Sequence, residues 1–395
     1  MTPQPTAPAS GAADLAAGLR PLFAERAGRV DTAGDFPADN LDALRASGLM
    51  GLLVPTGYGG GGGGVGDLAE AARIMAGGCL STAMIWAMHC QQVDALVRHA
   101  TPELRDELLP RVARGEVYIA SVTTEAGKGG RLTSAEAALE HTGATLALHR
   151  DAPVVTGGEH ADGYLVTMRE APDAPDSRVS LVYADRDLTK TEVYGSWNAL
   201  GMRGTRSVGM RLSANVPVRN VVGGPGAFRA VATDSMIAVG HIAWAACWLG
   251  AAQSAFGQVV SLLRSPNRPR SVDPRSDLTT ERLGRTRMDL ELVGAYLHQV
   301  TAEVARHREQ GLSIDTPPVQ IHLNTLKVTA AELTYAAVDR LVQLCGLSVG
   351  YSKDSAVPLE RHLRDLRSAA LNYSNDRLLT ATGSLALLDR SVRLA

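Results

Sequence analysis

The chain has 395 residues, enough for two or three structural units or one large one, and 45% of them are apolar, which is ample material for a buried core. Lys plus Arg number 39 and Asp plus Glu 41, a net charge of −2, which argues against a nucleic-acid or anionic-membrane binder. The four cysteines, Cys79, Cys90, Cys247 and Cys345, form no CxxC pair, so a disulfide scaffold and an obvious zinc site are both excluded.

Residues 1–12 lack the basic start and apolar stretch of a secretory leader and read as a flexible tail. No uninterrupted run of 18 apolar residues occurs. The nearest, Ile242 to Ala255, contains Gln253 and Ser254, so no membrane span is expected and the default is a cytoplasmic protein.

From 13 to 116 the apolar spacing is helical. Leu19, Leu22 and Phe23 share a face, as do Leu41, Leu44 and Leu49, with Asp39 suited to cap the second helix. Gly59–Gly64 is six consecutive glycines and must be a loop. It lacks the Lys and the preceding strand of a phosphate loop. Thr101 followed by Pro102 opens a further helix. At Glu116 the period changes. Short β-like runs cover Val117–Thr124, Ala144–Leu148, Gly163–Met168, Val179–Ala184, Glu192–Tyr194 and Ser207–Val216. They read as an antiparallel β domain over 117–224. From 225 to 395 the helical period returns, with helices expected over Ala227–Leu263, Asp277–Gln310, Pro318–Cys345 and Arg361–Leu394. Helix-only and strand-only blocks predict an α+β fold, not an alternating βαβ sheet.

Four strings then stand out in order. They are Ser121-Val122-Thr123-Thr124-Glu125-Ala126-Gly127-Lys128-Gly129-Gly130, then Val154-Val155-Thr156-Gly157-Gly158 with Ala161-Asp162-Gly163-Tyr164. Next is Leu200-Gly201-Met202-Arg203-Gly204-Thr205-Arg206-Ser207. Last is Gln343-Leu344-Cys345-Gly346 through Gly350-Tyr351, Glu360-Arg361 and Arg364-Asp365. Together they resemble the acyl-CoA dehydrogenase superfamily of flavoproteins from about residue 15 to 390. The resemblance implies an N-terminal helical domain, a middle β domain and a C-terminal four-helix bundle. It also implies FAD (or FMN) as cofactor, a small-molecule substrate and a homodimer or homotetramer.

An isoalloxazine ring presents acceptors, and Thr124 and Thr156 offer hydroxyls at strand ends. Thr is also simply a good strand residue. The resemblance places both near the flavin, with Val155 beside them. Gly127 and Gly129 allow close backbone approach, as an ordinary turn also would. By resemblance, Gln343 and Gly346 reach the adenosine diphosphate part of the cofactor from a neighbouring subunit. Here the segment after them carries one extra residue. Arg264, in Arg264-Ser265-Pro266-Asn267-Arg268, stands near the position of the family's pyrophosphate arginine, and a solvated basic loop is the alternative.

The departures are as informative. The family's dehydrogenases need a carboxylate to remove a weakly acidic α-proton. By resemblance, Tyr373 stands where the commonest base would be, and the second family position falls near Gly240, next to His241. Asp376 is the nearest acid. A branch of the same fold receives reduced flavin from a separate reductase and hydroxylates its substrate with oxygen. It needs a dry pocket and a proton donor instead of a carboxylate. His89 and His241, in otherwise apolar helices with Trp86, Trp244 and Trp248 nearby, are the candidate donors, with a hydrogen-bonded core histidine as the plain alternative. Three readings follow, in this order. The first is a two-component flavin monooxygenase. The second is an acyl-CoA or acyl-carrier-protein thioester dehydrogenase using Asp376 or Tyr373. The third is a non-catalytic partner subunit.

Overall fold

The computed structural model describes residues 11–127, 131–266, 268–270 and 272–393. Five helices come first: α1 (Ala12–Ala33), α2 (Ala38–Ser47), α3 (Val65–Ala76), α4 (Leu80–His99) and α5 (Pro102–Ala113). Most of the expected tail lies outside the described residues, and Ala12 already opens α1. Thr101 caps α5 as the sequence predicts, its Oγ1 accepting from the Leu104 N–H at 3.2 Å. Asp39 does not cap α2. Pro37 holds that position, and Asp39 sits in the first turn, paired with Arg29. The glycine run folds back on Leu52–Val54, so closely that a Cβ on Gly60 would lie 2.2 Å from the Val54 carbonyl oxygen.

Among the described residues eight strands follow: β1 (Ile119–Val122), β2 (Glu140–Thr142), β3 (Thr145–Val155), β4 (Gly163–Arg169), β5 (Val179–Asp185), β6 (Thr189–Tyr194), β7 (Val208–Pro217) and β8 (Val221–Val222). They form two four-stranded sheets, ordered β1-β4-β5-β8 and β2-β3-β7-β6. The expected purely antiparallel arrangement is corrected at one place, because β1 pairs with β4 in parallel. Between β1 and β4 the chain crosses through β2 and β3 of the other sheet, so β4 returns beside β1 in the same direction. The short β2 and β8 carry too few residues to show an alternating pattern. Strand β3 continues to Val155, through a register shift after Ala152 that turns its end toward the site.

The remaining helices are α6 (Phe228–Val231), α7 (Ala238–Arg264), α8 (Asp277–Glu309), α9 (Pro317–Gly346), α10 (Leu359–Arg367) and α11 (Asn375–Ala386). A π-helical turn, Ala232–Ile237, joins α6 to α7, the kind of local widening often found beside functional sites. The stretch Phe228–Arg264 is long and apolar enough to cross a membrane, but 94% of its most apolar window is buried inside the protein, as in a core helix. The single helix expected over Arg361–Leu394 is in fact two. A turn over 368–374 separates α10 from α11, and Tyr373 within it adopts φ +53°, a conformation that no helix continues through. Helices α7, α8 and α9 pack together, and α10 and α11 close against α9.

Candidate active site

Where the β sheets meet α4, α7 and the 368–374 turn, a cavity of about 690 Å³ opens, within the usual range for small-molecule and cofactor sites. Its polar wall comes from strand ends. Thr124 Oγ1 donates to the Val154 carbonyl at 2.8 Å and accepts from the Val154 N–H at 3.3 Å, tying β1 to β3. Thr156 Oγ1 lies 3.0 Å from Ser207 Oγ, which lies 2.9 Å from Thr205 Oγ1, which donates to the Met202 carbonyl at 2.8 Å. The last bond commits the Thr205 proton, so the protons run Thr156 to Ser207 to Thr205. The Thr156 oxygen thereby keeps a lone pair for the cavity.

The apolar wall includes Met84, Met88, Met236, Ile237 and Trp244. Trp197 also lines it, held by its Nε1–H donating to the Met202 carbonyl at 2.9 Å. Nothing in the linear chain marks Trp197, because a lone Trp in a turn-rich segment has no periodicity to place it. Trp86 and Trp248 are buried core residues away from the cavity.

His241 and Tyr373 both line this cavity, with ring centroids 5.8 Å apart. Burial, helped by the nearby Lys327 cation, pushes the His241 pKa down to about 3, so its imidazole is neutral at physiological pH. The reasoning that an ordinary histidine pKa suits a proton donor is thus corrected: His241 does not arrive at the cavity as an imidazolium, and burial disfavours its taking up a proton. It contacts the Leu323 backbone, and its Nδ1 has no partner among the described residues. Burial raises the Tyr373 phenol, which therefore keeps its proton.

His89 is elsewhere. It is fully buried, its Nδ1 accepts from the Ile119 N–H at 3.0 Å, and its Nε2 faces the Met50 carbonyl at 3.0 Å. Both nitrogens are used and burial holds its pKa down to about 4, so His89 is a structural link between α4 and β1. Asp376 is also corrected. It is exposed in the first turn of α11 and lies outside the cavity. Val155 points into the core, and its neighbours Val154 and Thr156 face the cavity instead, as strand alternation requires. Gly127 adopts φ +87° and does not line the cavity; a Cβ there would lie 3.0 Å from the Glu136 carboxylate, so its role is a turn. Gly129 lies outside the described residues.

Arg264, Gln343 and Gly346 are exposed at helix ends and are not brought to this cavity within one chain. Gln343 donates to Asp339 at 2.7 Å. The basic groups at the cavity are Arg364, Arg367 and Arg377. Arg364 is committed to Asp31 and Glu360. Arg367 and Arg377 are exposed and make no ion pair among the described residues, although Arg367 lies over the Tyr335 ring. Sequence reasoning missed them because they flank a turn that was read as unbroken helix.

One carboxylate is found among the lining residues, Glu125, and it is occupied. It pairs with buried Arg150 at 2.7 Å and accepts from the backbone N–H groups of Glu136 and Ala137 at 2.9 and 2.8 Å. At Gly240 the Gln91 amide fills the space that a side chain would take; a Cβ there would lie 2.4 Å from Gln91 Nε2. That amide donates to the Met236 carbonyl in the π turn.

A flavin fits these residues. The volume is sufficient, strand ends and the Thr156 lone pair face one side, and two unpaired arginines are available to a phosphate; the Thr124 and Thr156 hydroxyl protons, expected to donate to the ring, are instead spent on the Val154 carbonyl and Ser207.

Comparison with known proteins agrees. The model of the acyl-CoA dehydrogenase N-terminal domain matches residues 18–116, and that of the C-terminal domain matches 242–376. The chain is 25% identical over 352 residues to a mitochondrial isobutyryl-CoA dehydrogenase of Dictyostelium discoideum, covering 87% of this chain and 80% of the relative. It is 26% identical over 389 residues to the L-evernosamine nitrososynthase of a Micromonospora strain, covering 90% of this chain and 84% of the relative. The FMN-bound structure of TdsC from Paenibacillus sp. A11-2 superposes with a TM-score of 0.86 at 20% identity, covering 97% of this chain and 98% of that one. The chain belongs to the acyl-CoA dehydrogenase superfamily, whose members bind FAD and include FMN-bound neighbours.

Proposed function

We propose that this chain is a flavin-dependent monooxygenase that takes reduced flavin from a separate reductase and uses oxygen to hydroxylate a small-molecule substrate. The observation that carries this reading is the absence, among the described residues lining the cavity, of a carboxylate free to take a proton. Thioester dehydrogenation needs such a base. Glu125 is held by Arg150 and two backbone N–H groups, Asp376 faces solvent, and by resemblance Tyr373 stands at one family base position while the other falls near Gly240. Among similar proteins, one is named a nitrososynthase and another a dibenzothiophene monooxygenase, although others are named acyl-CoA dehydrogenases.

FAD is the proposed cofactor, with FMN as the alternative. Bound as the reduced form, it supplies the electrons that activate oxygen. The chain's own residues supply the surroundings. The Thr156 oxygen, its proton committed to Ser207, keeps a lone pair that would accept from the additional N–H a flavin ring gains on reduction. Met84, Met88, Met236 and Trp244 exclude water. Neutral His241 holds a proton or accepts a hydrogen bond at Nδ1, beside the protonated Tyr373 phenol. Arg377, exposed and lining the cavity, would hold a flavin phosphate. Arg264, Gln343 and Gly346, exposed at helix ends, reach a cofactor only across a second copy of the chain, which fits a homodimer or homotetramer.

Anaerobic loading with reduced flavin followed by rapid mixing with oxygen tests the reading. A transient absorbing species, distinct from both reduced and oxidised flavin, is expected before the oxidised spectrum appears. His241→Ala should shorten its lifetime and lower product formation about 100-fold, in the range of a lost acid–base group. Bleaching of bound oxidised flavin by an acyl thioester without oxygen would replace this reading with thioester dehydrogenation. Separately, Arg377→Gln is expected to weaken flavin binding about tenfold, about what one charge-assisted bond contributes. A fluorescence titration measures this directly, and unchanged affinity would remove Arg377 from the phosphate site.

A further inference from the structure

Lys327 lies in the middle of α9 with no solvent exposure. A lysine is almost never fully buried without a purpose for its charge. Its Nζ donates to the Ala369 carbonyl at 3.0 Å and to Asn375 Oδ1 at 2.7 Å. It also lies 5.5 Å from the centroid of the Trp248 ring. Ala369 and Asn375 bracket the turn over 368–374, which brings Leu371, Asn372, Tyr373 and Ser374 to the cavity.

That turn needs a restraint. Tyr373 is held at φ +53°, which is unfavourable for a bulky side chain and persists only where the surroundings over-determine it. The turn's backbone bonds are few: Leu371 and Asn372 N–H to the Ser368 carbonyl and Asn375 N–H to the Ala370 carbonyl, with Ser368 and Ala369 N–H tied back to the Asp365 and Leu366 carbonyls of α10. Lys327 spans both ends of it from the neighbouring helix.

We propose that Lys327 is a positioning residue for this cavity: its buried ammonium clasps the 368–374 turn and so holds Tyr373 against His241. The groups facing Lys327 are identifiable on each side. On α9 itself, Glu332 reaches it electrostatically and accepts from Asn375 Nδ2 at 3.2 Å. On α7 are Trp248 and neutral His241, whose basicity the Lys327 charge lowers. At the turn and the start of α11 are Tyr373 and, beyond it, Arg377. Burial lowers the Lys327 pKa to about 7, so the clasp passes from a charge-assisted to a neutral hydrogen bond near neutral pH.

The cavity's assignment to flavin and substrate belongs to the proposed function, but the clasp itself is tested without any ligand. Backbone hydrogen exchange of the free protein, corrected for the intrinsic effect of pH, reads the turn directly. In Lys327→Met, amides 369–375 are expected to exchange at least tenfold faster, with those of α7 and the β sheets unchanged. In the natural chain the protection of this turn should fall between pH 6 and 8.5, and in Lys327→Met it should not vary. Asn375→Ala, which removes one of the two acceptors and keeps the lysine, should loosen the same amides by a smaller factor and serves if Lys327→Met does not fold. Unchanged turn exchange in either folded variant, or a pH profile shared by Lys327→Met and the natural chain, would overturn the proposal. If the turn loosens as expected but the natural chain binds no flavin, the functional reading fails and the clasp stands.

Discussion

A Glu125→Gln chain is expected to lose about 3–5 kcal/mol of stability, the usual consequence of removing one partner from a buried ion pair. Arg150 has a side chain with no exposure, and Glu125 is its carboxylate partner, itself only 9% exposed. Arg150 cannot shed its proton, so without Glu125 a full charge remains in the core. Its other contact, Nη2 to Thr167 Oγ1 at 3.3 Å, is a weak substitute. The amide also presents only one oxygen where the carboxylate presented two, and the Glu136 and Ala137 N–H groups compete for it. Denaturant unfolding should show a lower midpoint with an unchanged slope. This result bears on function as well as on the fold. A Glu125→Gln chain of full stability whose thioester chemistry alone is lost would mark Glu125 as a base and would end the monooxygenase reading.

Gly250→Ala should be the second most damaging change. At Gly250 the α7 backbone passes so near α3 that a Cβ would lie 1.9 Å from the Arg73 carbonyl oxygen and 2.7 Å from its carbon. These are backbone atoms on one of the molecule's main helix contacts, so no side-chain rotation relieves them. The two helices must separate along a seam that buries Ala71, Ala72 and Met75 against Ala246, Ala251 and their neighbours. The cost sits at the upper end of overpacking, about 3 kcal/mol or more. Gly257→Ala makes the control: it lies on the same helix two turns on, with nothing within 4 Å of its Cβ position, and should gain slightly from the helix preference of alanine. Thermal unfolding of the pair distinguishes a local clash from a general intolerance of α7.

Much of the architecture was legible in the linear chain because the signals for it are local. Apolar spacing marked α1 to α5 and α7 to α9, and Thr101 with Pro102 marked the start of α5 within the chain itself. The change of period near Glu116 marked the β region. The elements that were missed are those whose stability is not local. Strands β2 and β8 are two or three residues long and exist because a neighbour pairs with them. Both ends of the break between α10 and α11 accept hydrogen bonds from a lysine 42 and 48 residues earlier. No sequence window holds both ends of that interaction.

The candidate site divides the same way. His89 and His241 look alike in sequence, each a histidine in an apolar helix. The fold places one between two backbone groups of the core and the other at the cavity with an unpartnered nitrogen. Val155 and Thr156 are adjacent, and strand alternation sends only Thr156 to the site. Asp376 is three residues from Tyr373, yet the turn faces one into the cavity and the other to solvent. The order of helical and strand blocks, the family and the missing carboxylate follow from the linear chain alone, because periodicity, motif and residue identity are properties of the chain. Which histidine meets the cavity, that Glu125 is spent on Arg150, and that Lys327 stands behind Tyr373 emerge on folding. Burial and hydrogen-bond partnership arise between segments far apart in the chain, and these set the charge and reach of each group.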